Sequence, residues 1–405
     1  MIPGPRRLRL ALLLVFVASR AITAWWADHP ERYGSPRFSV VTDVTLYESW
    51  ARAMVLRGMA PYADFAIEYP PGVVPFVVAP QLVSSDSSSY RSRFILLMLL
   101  VDTAGAIGLG LIARRGGSVA GLWLWTIALP LLGPLVYARL DLVVATATIW
   151  ALASAAHGRW IGAGAWLGFG AMVKVYPALL MPLAFVQSPE RRRLVIGASV
   201  AVVLSLAIVV GAFVPLFRQV VVYHTARGVS FESTWGALLL LSSKFGHEVR
   251  YQFDYGALLV QGGGAALLKR IGTLLMLAAV AAGTLLMRRT ARGDARILAS
   301  GSFGTLATVV GVASVFSPQF VIWLIALGAA ALCFRGQAAR DVVLLVIPIA
   351  AISQLLYPFL YGQLIARDFA ALSLLVLRNS MILGAGVAAL VLTRRQAIAS
   401  VPDAG

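Results

Sequence analysis

Residues 26–72 read WADHPERYGSPRFSVVTDVTLYESWARAMVLRGMAPYADFAIEYPPG, a polar island in an otherwise strongly apolar chain. Of the 17 acidic residues, six (Asp28, Glu31, Asp43, Glu48, Asp64 and Glu68) fall within it. Hydrocarbon does not hold that much unpaired charge. The island therefore lies in water, and the apolar runs on either side of it decide the fold class.

Those runs make up most of the chain. Hydrophobic residues account for 60% and charged residues for 13%, with a mean hydropathy of +0.84. This excludes an ordinary soluble globular protein. About 20 apolar residues cross a bilayer as a helix, and such runs recur along the whole length. The expectation is an all-α polytopic integral membrane protein of roughly 10 to 13 transmembrane helices, a single domain over residues 1–405. Residues 8–26 read as a retained first helix, not a cleaved signal. The one cysteine, Cys333, excludes an intramolecular disulfide and a cysteine-cluster metal site.

A formal charge of +17 would suit nucleic acid if it formed one face, but it comes as clusters at the ends of apolar runs. Arg6, Arg7 and Arg9, Arg191 to Arg193, Arg288 with Arg289, and Arg394 with Arg395 read as cytoplasmic anchors. The partner implied is the lipid bilayer of a cell membrane, with no nucleic acid. With both termini inside, 27–71 becomes the first outer loop and 218–270 a second large one. The apolar patches 235–243 and 255–268 within the second are short enough for half-helices or interfacial pieces. Helices near 296–314, 320–334, 342–360 and 369–392 leave Ser317-Pro318-Gln319 at the outer face. Residues 72–83 would reach only about 18 Å as a helix and read as a dipping element or a short crossing. Arg114 with Arg115 and His157-Gly158-Arg159 suit the inside, which turns Arg139-Leu140-Asp141 and Lys174-Val175-Tyr176-Pro177 outward. Gly164 and Gly168 have the spacing of close helix packing. No P-loop, nucleophile elbow, zincin or dinucleotide motif occurs.

Within the first outer loop, a surface helix opens at Asp43. Thr45 and Glu48 have capping-box spacing, and Thr42 or Asp43 would also serve as cap. Leu46, Trp50, Ala53 and Met54 form one apolar stripe, Gly58 sits at the C-cap and Pro61 stops the helix. Asp43 reads two ways, as a cap or as a carboxylate able to take a proton from a sugar hydroxyl. From Pro61 to Gly72, Tyr62, Asp64, Glu68 and Tyr69 mix rings and carboxylates, which bind sugars by stacking and hydrogen bonding; singly, each is an ordinary interfacial side chain. Lys174, alone in an apolar stretch beside Pro177, either neutralises a phosphate or snorkels to headgroups. His224, Arg227 and Glu232 form another outer cluster able to hold an anion and a polyol. Asp102, Asp141, Arg378 and Asn379 are functional candidates by their depth and equally read as interhelical bonds within the bundle.

In this order the motifs resemble a known family. Asp43, Pro61-Tyr62-x-Asp64-Phe65-x-x-Glu68-Tyr69-Pro70-Pro71, Arg139-Leu140-Asp141-Leu142, Lys174-Val175-Tyr176-Pro177, Arg227-Gly228-x-x-x-Glu232-Ser233 and Ser317-Pro318-Gln319 are similar to those of the polyprenol-phosphate-mannose-dependent α-mannosyltransferases of glycosyltransferase family 87, in the GT-C superfamily. Leu140 stands where the family often has Phe, and Ser230 or its neighbours where it usually has Gln. The resemblance implies a GT-C bundle with surface helices in the first outer loop, an extracytoplasmic active site, a polyprenyl-phosphate sugar donor and a glycolipid or cell-envelope glycan acceptor. It implies Asp43 as catalytic base and Lys174 as binder of the donor phosphate, with His224 and Arg227 as further phosphate candidates. Tyr62, Asp64, Glu68, Tyr69, Tyr176, Glu232 and Gln319 lie in the same motifs and complete the candidate substrate-binding set. No cofactor is implied, and dependence on a divalent ion stays open. Two other readings remain: the same fold using another lipid-linked sugar such as arabinofuranose, or a lipid-linked-sugar transporter or flippase, which would show repeated halves.

Overall fold

The computed structural model describes residues 6–32, 43–83, 89–209 and 211–399. The first apolar run forms α1 (Arg6–Asp28), and beyond it α2 (Val44–Arg57) ends at Gly58 in the left-handed conformation. A 3₁₀ turn at Pro71–Val73 leads into α3 (Val74–Val83), followed by α4 (Tyr90–Gly116) and α5 (Ala120–Ala128). A 3₁₀ stretch, Pro130–Val136, then turns into α6 (Asp141–Ala156), and α7 (Trp160–Val173), α8 (Tyr176–Gln187), α9 (Arg191–Leu206), α10 (Phe213–Ala226) and α11 (Thr234–Ser242) follow. The last part comprises α12 (Ala265–Arg288), α13 (Ala295–Val312), α14 (Phe320–Leu332), the short α15 (Arg340–Leu344), α16 (Val346–Gln354) and α17 (Tyr361–Ile365), and the long α18 (Phe369–Ala399).

The protein is an all-α polytopic membrane protein. Among the described residues, seven helical stretches are long and apolar enough to cross a bilayer, and the bent pair Pro130–Val136 with Asp141–Ala156 would make eight. Four further apolar helices have only 10–17 residues, too short to cross about 30 Å as straight helices. The range of ten to thirteen crossings had taken these in. The run 342–360, expected as one helix, forms one span, Arg340–Phe359: Leu345, between α15 and α16, keeps helical dihedrals, and only Tyr357, before Pro358, leaves helical geometry, as a residue preceding proline tends to.

Hydrogen bonds between connections sort the bundle into two ends. At one end Arg335 donates its backbone N–H to Gly116 O (2.8 Å), Gly293 to Gln187 O (2.9 Å), and Ala338 to Gln396 Oε1 (3.2 Å). This gathers the Arg114–Arg115, Arg191–Arg193, Arg288–Arg289 and Arg394–Arg395 clusters. At the other end Asp43, Arg139, Asp141, Lys174 and Ser317 come together, the grouping expected from charge parity.

Packing follows from small residues. A Cβ on Gly164 would run into the Leu194 carbonyl, and one on Gly168 would lie 2.6 Å from Ala198 O, so α7 and α9 touch backbone to backbone as the glycine spacing predicts. Charges inside the bundle are paired. Arg20 on α1 donates to Asp102 on α4 (2.9 Å), which also accepts from Trp125 Nε1 (2.7 Å) and the Tyr137 hydroxyl (2.6 Å).

The 218–270 segment departs from expectation. Its first patch is helical (α11), while the second divides between a strand, 257–262, and the first turn of α12. β1 (Val229–Ser230), β2 (Val249–Asp254) and β3 (Ala257–Gly262) form an antiparallel sheet in the order β1-β3-β2. Tyr255 and Gly256, both at positive φ, make the two-residue hairpin loop that turns the chain back on itself; an apolar run of this length is compatible with strand as well as helix.

Candidate active site

The end of the bundle away from the arginine clusters holds two adjoining cavities, of about 570 and about 440 Å3. Glu68, Tyr69, Arg227, Ser317 and Gln319 line both and form the partition between them.

The larger cavity is mostly apolar. Leu179 on α8, Met276 on α12, Leu306 and Val310 on α13, and Trp323 on α14 wall it, while Lys174, Arg227 and Lys269 contribute cationic side chains. Tyr176 stacks on Trp323 (4.1 Å between centroids), and Trp323 on Phe320 (4.1 Å). Lys174 occupies the break between α7 and α8, in extended conformation. Close approach places it there: a Cβ on Gly72 would lie 2.5 Å from Met172 O, so the Pro70-Pro71-Gly72 corner packs onto the backbone where α7 ends. The Tyr69 ring is thereby brought to 4.9 Å from Lys174 Nζ, within cation–π range. Lys174 does not snorkel. Its ammonium is buried and donates to Asp141 Oδ2 at 2.6 Å, while Asp141 Oδ1 is buried without a partner. Arg227, just past α10, makes no ion pair among the described residues, and its Nε is buried without a hydrogen-bond partner.

The smaller cavity is more polar. Asp43, Arg139, Glu232, Tyr357 and Tyr361 line it, together with Phe253 and Tyr255 of the hairpin. Asp43 stands at the N-cap position of α2, but its side chain makes no capping hydrogen bond. Its carboxylate instead pairs with the Arg139 guanidinium and accepts from the Tyr47 hydroxyl at 3.4 Å. Burial, reinforced by the charges of Asp141 and Glu68, pushes the Tyr47 phenol well above its ordinary value, so it stays a neutral donor. The inward face of α2 carries Tyr47, Trp50 and Ala51, with Tyr47 tilted against Trp50 and Phe94; Leu46, expected in the apolar stripe, is exposed and lines the cavity instead.

Glu232 is not a free acceptor. Its side chain accepts from Arg378 Nη1 at 3.0 Å and its carbonyl from Arg378 Nη2 at 2.7 Å and Asn379 Nδ2 at 3.2 Å, so Arg378 and Asn379 tie α18 to the turn before α11, where bonds between helices were the expectation. Burial raises the Glu232 carboxyl above the usual range, with Arg378 opposing it. Gln319 accepts from the Ser317 hydroxyl at 2.5 Å.

Of the candidates read from sequence, Asp43, Glu68, Tyr69, Lys174, Tyr176, Arg227, Glu232 and Gln319 line one or both cavities. Tyr62 and Asp64 line neither. The Tyr62 hydroxyl donates to Tyr69 O (2.7 Å) and Asp64 accepts from the Ala60 N–H (2.7 Å), so the two hold the turn that presents Glu68 and Tyr69. The His224 side chain and Thr42 lie outside the described residues. Sequence reading did not select Arg139, Lys269, Phe253, Tyr255 or Tyr357 for the site. For Lys269 a signal existed: with Arg270 it puts basic residues at the end of α12 opposite the arginine anchors. No group of three His, Cys, Asp or Glu side chains converges among the described residues.

The sequence profile of glycosyltransferase family 87 matches residues 67–318, a stretch that holds Glu68, Tyr69, Arg227 and Ser317 of the partition between the cavities and leaves Asp43 and Gln319 outside it. No curated protein matches the chain.

Proposed function

We propose that this chain, which belongs to glycosyltransferase family 87 and is a membrane glycosyltransferase, transfers a sugar, mannose in the first instance, from a polyprenyl-phosphate donor to a glycolipid or cell-envelope glycan, with inversion. The observation that carries the reading is the pair of cavities meeting at Glu68, Tyr69, Arg227, Ser317 and Gln319. An apolar space edged by cations suits a prenyl chain ending in phosphate, and a polar space beside a carboxylate suits sugar hydroxyls. The positive-inside rule assigns the arginine-rich end to the cytoplasm, so the cavities open on the extracytoplasmic face of the cell membrane, the whole chain acting as one domain.

In this scheme the donor's lipid lies along Met276, Leu306, Val310 and Trp323, and its phosphate sits near Arg227 and Lys174. Arg227 brings a charge with no counter-ion among the described residues, while Lys174, matched by Asp141, contributes its remaining N–H donors. The acceptor hydroxyl, in the smaller cavity, attacks the anomeric carbon from the face opposite the phosphate. As the new C–O bond forms and the bond to phosphate oxygen breaks, Asp43 takes the hydroxyl proton and the polyprenyl phosphate leaves with the bonding pair, its charge held by the cations. Tyr47 and Arg139 orient the Asp43 carboxylate. Tyr176 holds the aromatic wall of the lipid cavity, and Glu68, Tyr69 and Gln319 sit where donor sugar and acceptor would meet.

The test is to incubate the purified protein with a panel of polyprenyl-phosphate sugars and membrane-lipid extract and to look for a new glycoconjugate. Product from the mannosyl donor supports the full reading, product from an arabinofuranosyl donor moves the assignment to that sugar, and no product from any donor refutes it.

A further inference from the structure

The hairpin of β2 and β3 turns on two residues, with Asp254 paired to Ala257 across the loop. Both loop residues, Tyr255 (φ 50°) and Gly256 (φ 64°), are in the left-handed region, the arrangement of the mirror-image turns that two-residue hairpins favour. Gly256 suits its place. Tyr255 does not: Asn, Asp and Gly are the residues that accept the first position of such a turn, and a bulky side chain there is held against its backbone preference. Backbone strain retained in a turn calls for a reason in the side chain. Here the side chain lines the smaller cavity, as does that of Phe253, two residues earlier on β2 and 72% exposed. A phenylalanine ring exposed to that degree makes little contribution to the hairpin itself, whose inward contacts run through Val249, Tyr251, Leu258 and Val260. The tip thus presents two rings to the cavity that holds Asp43.

We propose that this tip is the acceptor-sugar platform: the rings of Phe253 and Tyr255 take the apolar C–H face of a sugar ring in the glycan or glycolipid acceptor, leaving its hydroxyls toward Asp43. Aromatic side chains suit the task because each offers a rigid apolar face, and tyrosine adds a polar tip for a neighbouring hydroxyl. Donor lipid and phosphate lie in the other cavity, which neither ring lines. The proposal rests on the glycosyltransferase reading of the smaller cavity.

The discriminating variant is Tyr255→Asn, since Asn-Gly is the favoured sequence for this turn. The expected result is a higher melting temperature together with an acceptor KM raised about fivefold to tenfold and an unchanged donor KM. Phe253→Ala raises acceptor KM similarly, and Tyr255→Phe keeps most of the affinity. A residue with only a structural role would lose stability when replaced and would leave acceptor KM where it was. An unmoved acceptor KM in Tyr255→Asn, a shift in donor KM alone, or a lower melting temperature overturns the platform. Asp43→Asn in the same assay separates the two levels. If it is inactive while Tyr255→Asn is unaffected, only the platform falls; if it is fully active, the reading of the cavity falls with it.

Discussion

Replacing Lys174 by Met tests the site and the fold at once, and the structure sets how large each effect should be. Lys174 Nζ lies 2.6 Å from Asp141 Oδ2, with the two side chains 9% and 0% exposed, and Asp141 Oδ1 already lacks a partner. Removing the ammonium alone leaves a buried carboxylate with no counter-ion, which costs about 3–5 kcal/mol. Lys174→Met should therefore unfold at a clearly lower temperature in detergent, and any loss of transfer would be ambiguous. The double variant Lys174→Met/Asp141→Asn removes both charges from the same site and should recover most of that stability, since a buried pair as a whole contributes little net. If Lys174 also donates to the donor phosphate, the folded double variant still loses a hydrogen bond to a charged group, worth about 1.5–3 kcal/mol, or about 10-fold to 150-fold in donor affinity. Melting curves and donor titrations on parent, single and double variants separate the terms. A double variant that melts like the parent and binds donor with parental affinity confines Lys174 to holding Asp141, and a single variant as stable as the parent refutes the buried pair.

Three further outcomes are expected. Asp43→Asn should lower the transfer rate about 100-fold to 10,000-fold; it has no capping bond to lose but leaves the partly buried Arg139 without its carboxylate, so the melting temperature should fall, by less than in Lys174→Met because this pair is less buried; transfer near the parental rate would remove Asp43 from the mechanism. Gly164→Val should cost at least ~1–3 kcal/mol by forcing α7 off α9, read as a lowered melting temperature, while Gly58→Ala on the exposed end of α2 serves as a control for strain confined to a single cap. Cysteine introduced at exposed Phe245 should react with an impermeant reagent in intact cells and cysteine at Pro189 only after permeabilisation, the native Cys333 being buried; the reverse pattern would invert the topology.

How much of this was legible in sequence depends on how far apart the partners lie. The helix from Asp43 to its glycine cap and the break at Lys174-Val175-Tyr176-Pro177 are local patterns, and each stands where the pattern put it. Asp43 was open between cap and base because spacing alone does not tell where a carboxylate points. It points at Arg139, 96 positions away, and does not cap the helix; no periodicity in either segment links the two. The hairpin is illegible for a different reason: residues 255–268 are apolar enough for a membrane piece, and the feature that makes a strand of 257–262 is the backbone turn at Tyr255, a residue whose type argues against that turn.

The same distance problem governs the rule that an ionisable residue at membrane depth marks function. Arg20, Asp102, Lys174 and Arg378 interrupt apolar runs in the sequence, yet each is buried and matched: Arg20 with Asp102, Lys174 with Asp141, and Arg378 with Glu232 of the second outer loop. Desolvation makes that matching obligatory, so a charge inside the bundle first signals a partner on another helix. What distinguishes a site is a charge that the bundle leaves unmatched beside an open cavity. Arg227 meets that description among the described residues, at the partition where the two cavities adjoin and with its Nε buried and unpaired. An anion arriving there would complete a pair that the described residues leave open, which is the argument for the proposed phosphate position being nearer Arg227 than Lys174, the more conspicuous cation in the sequence.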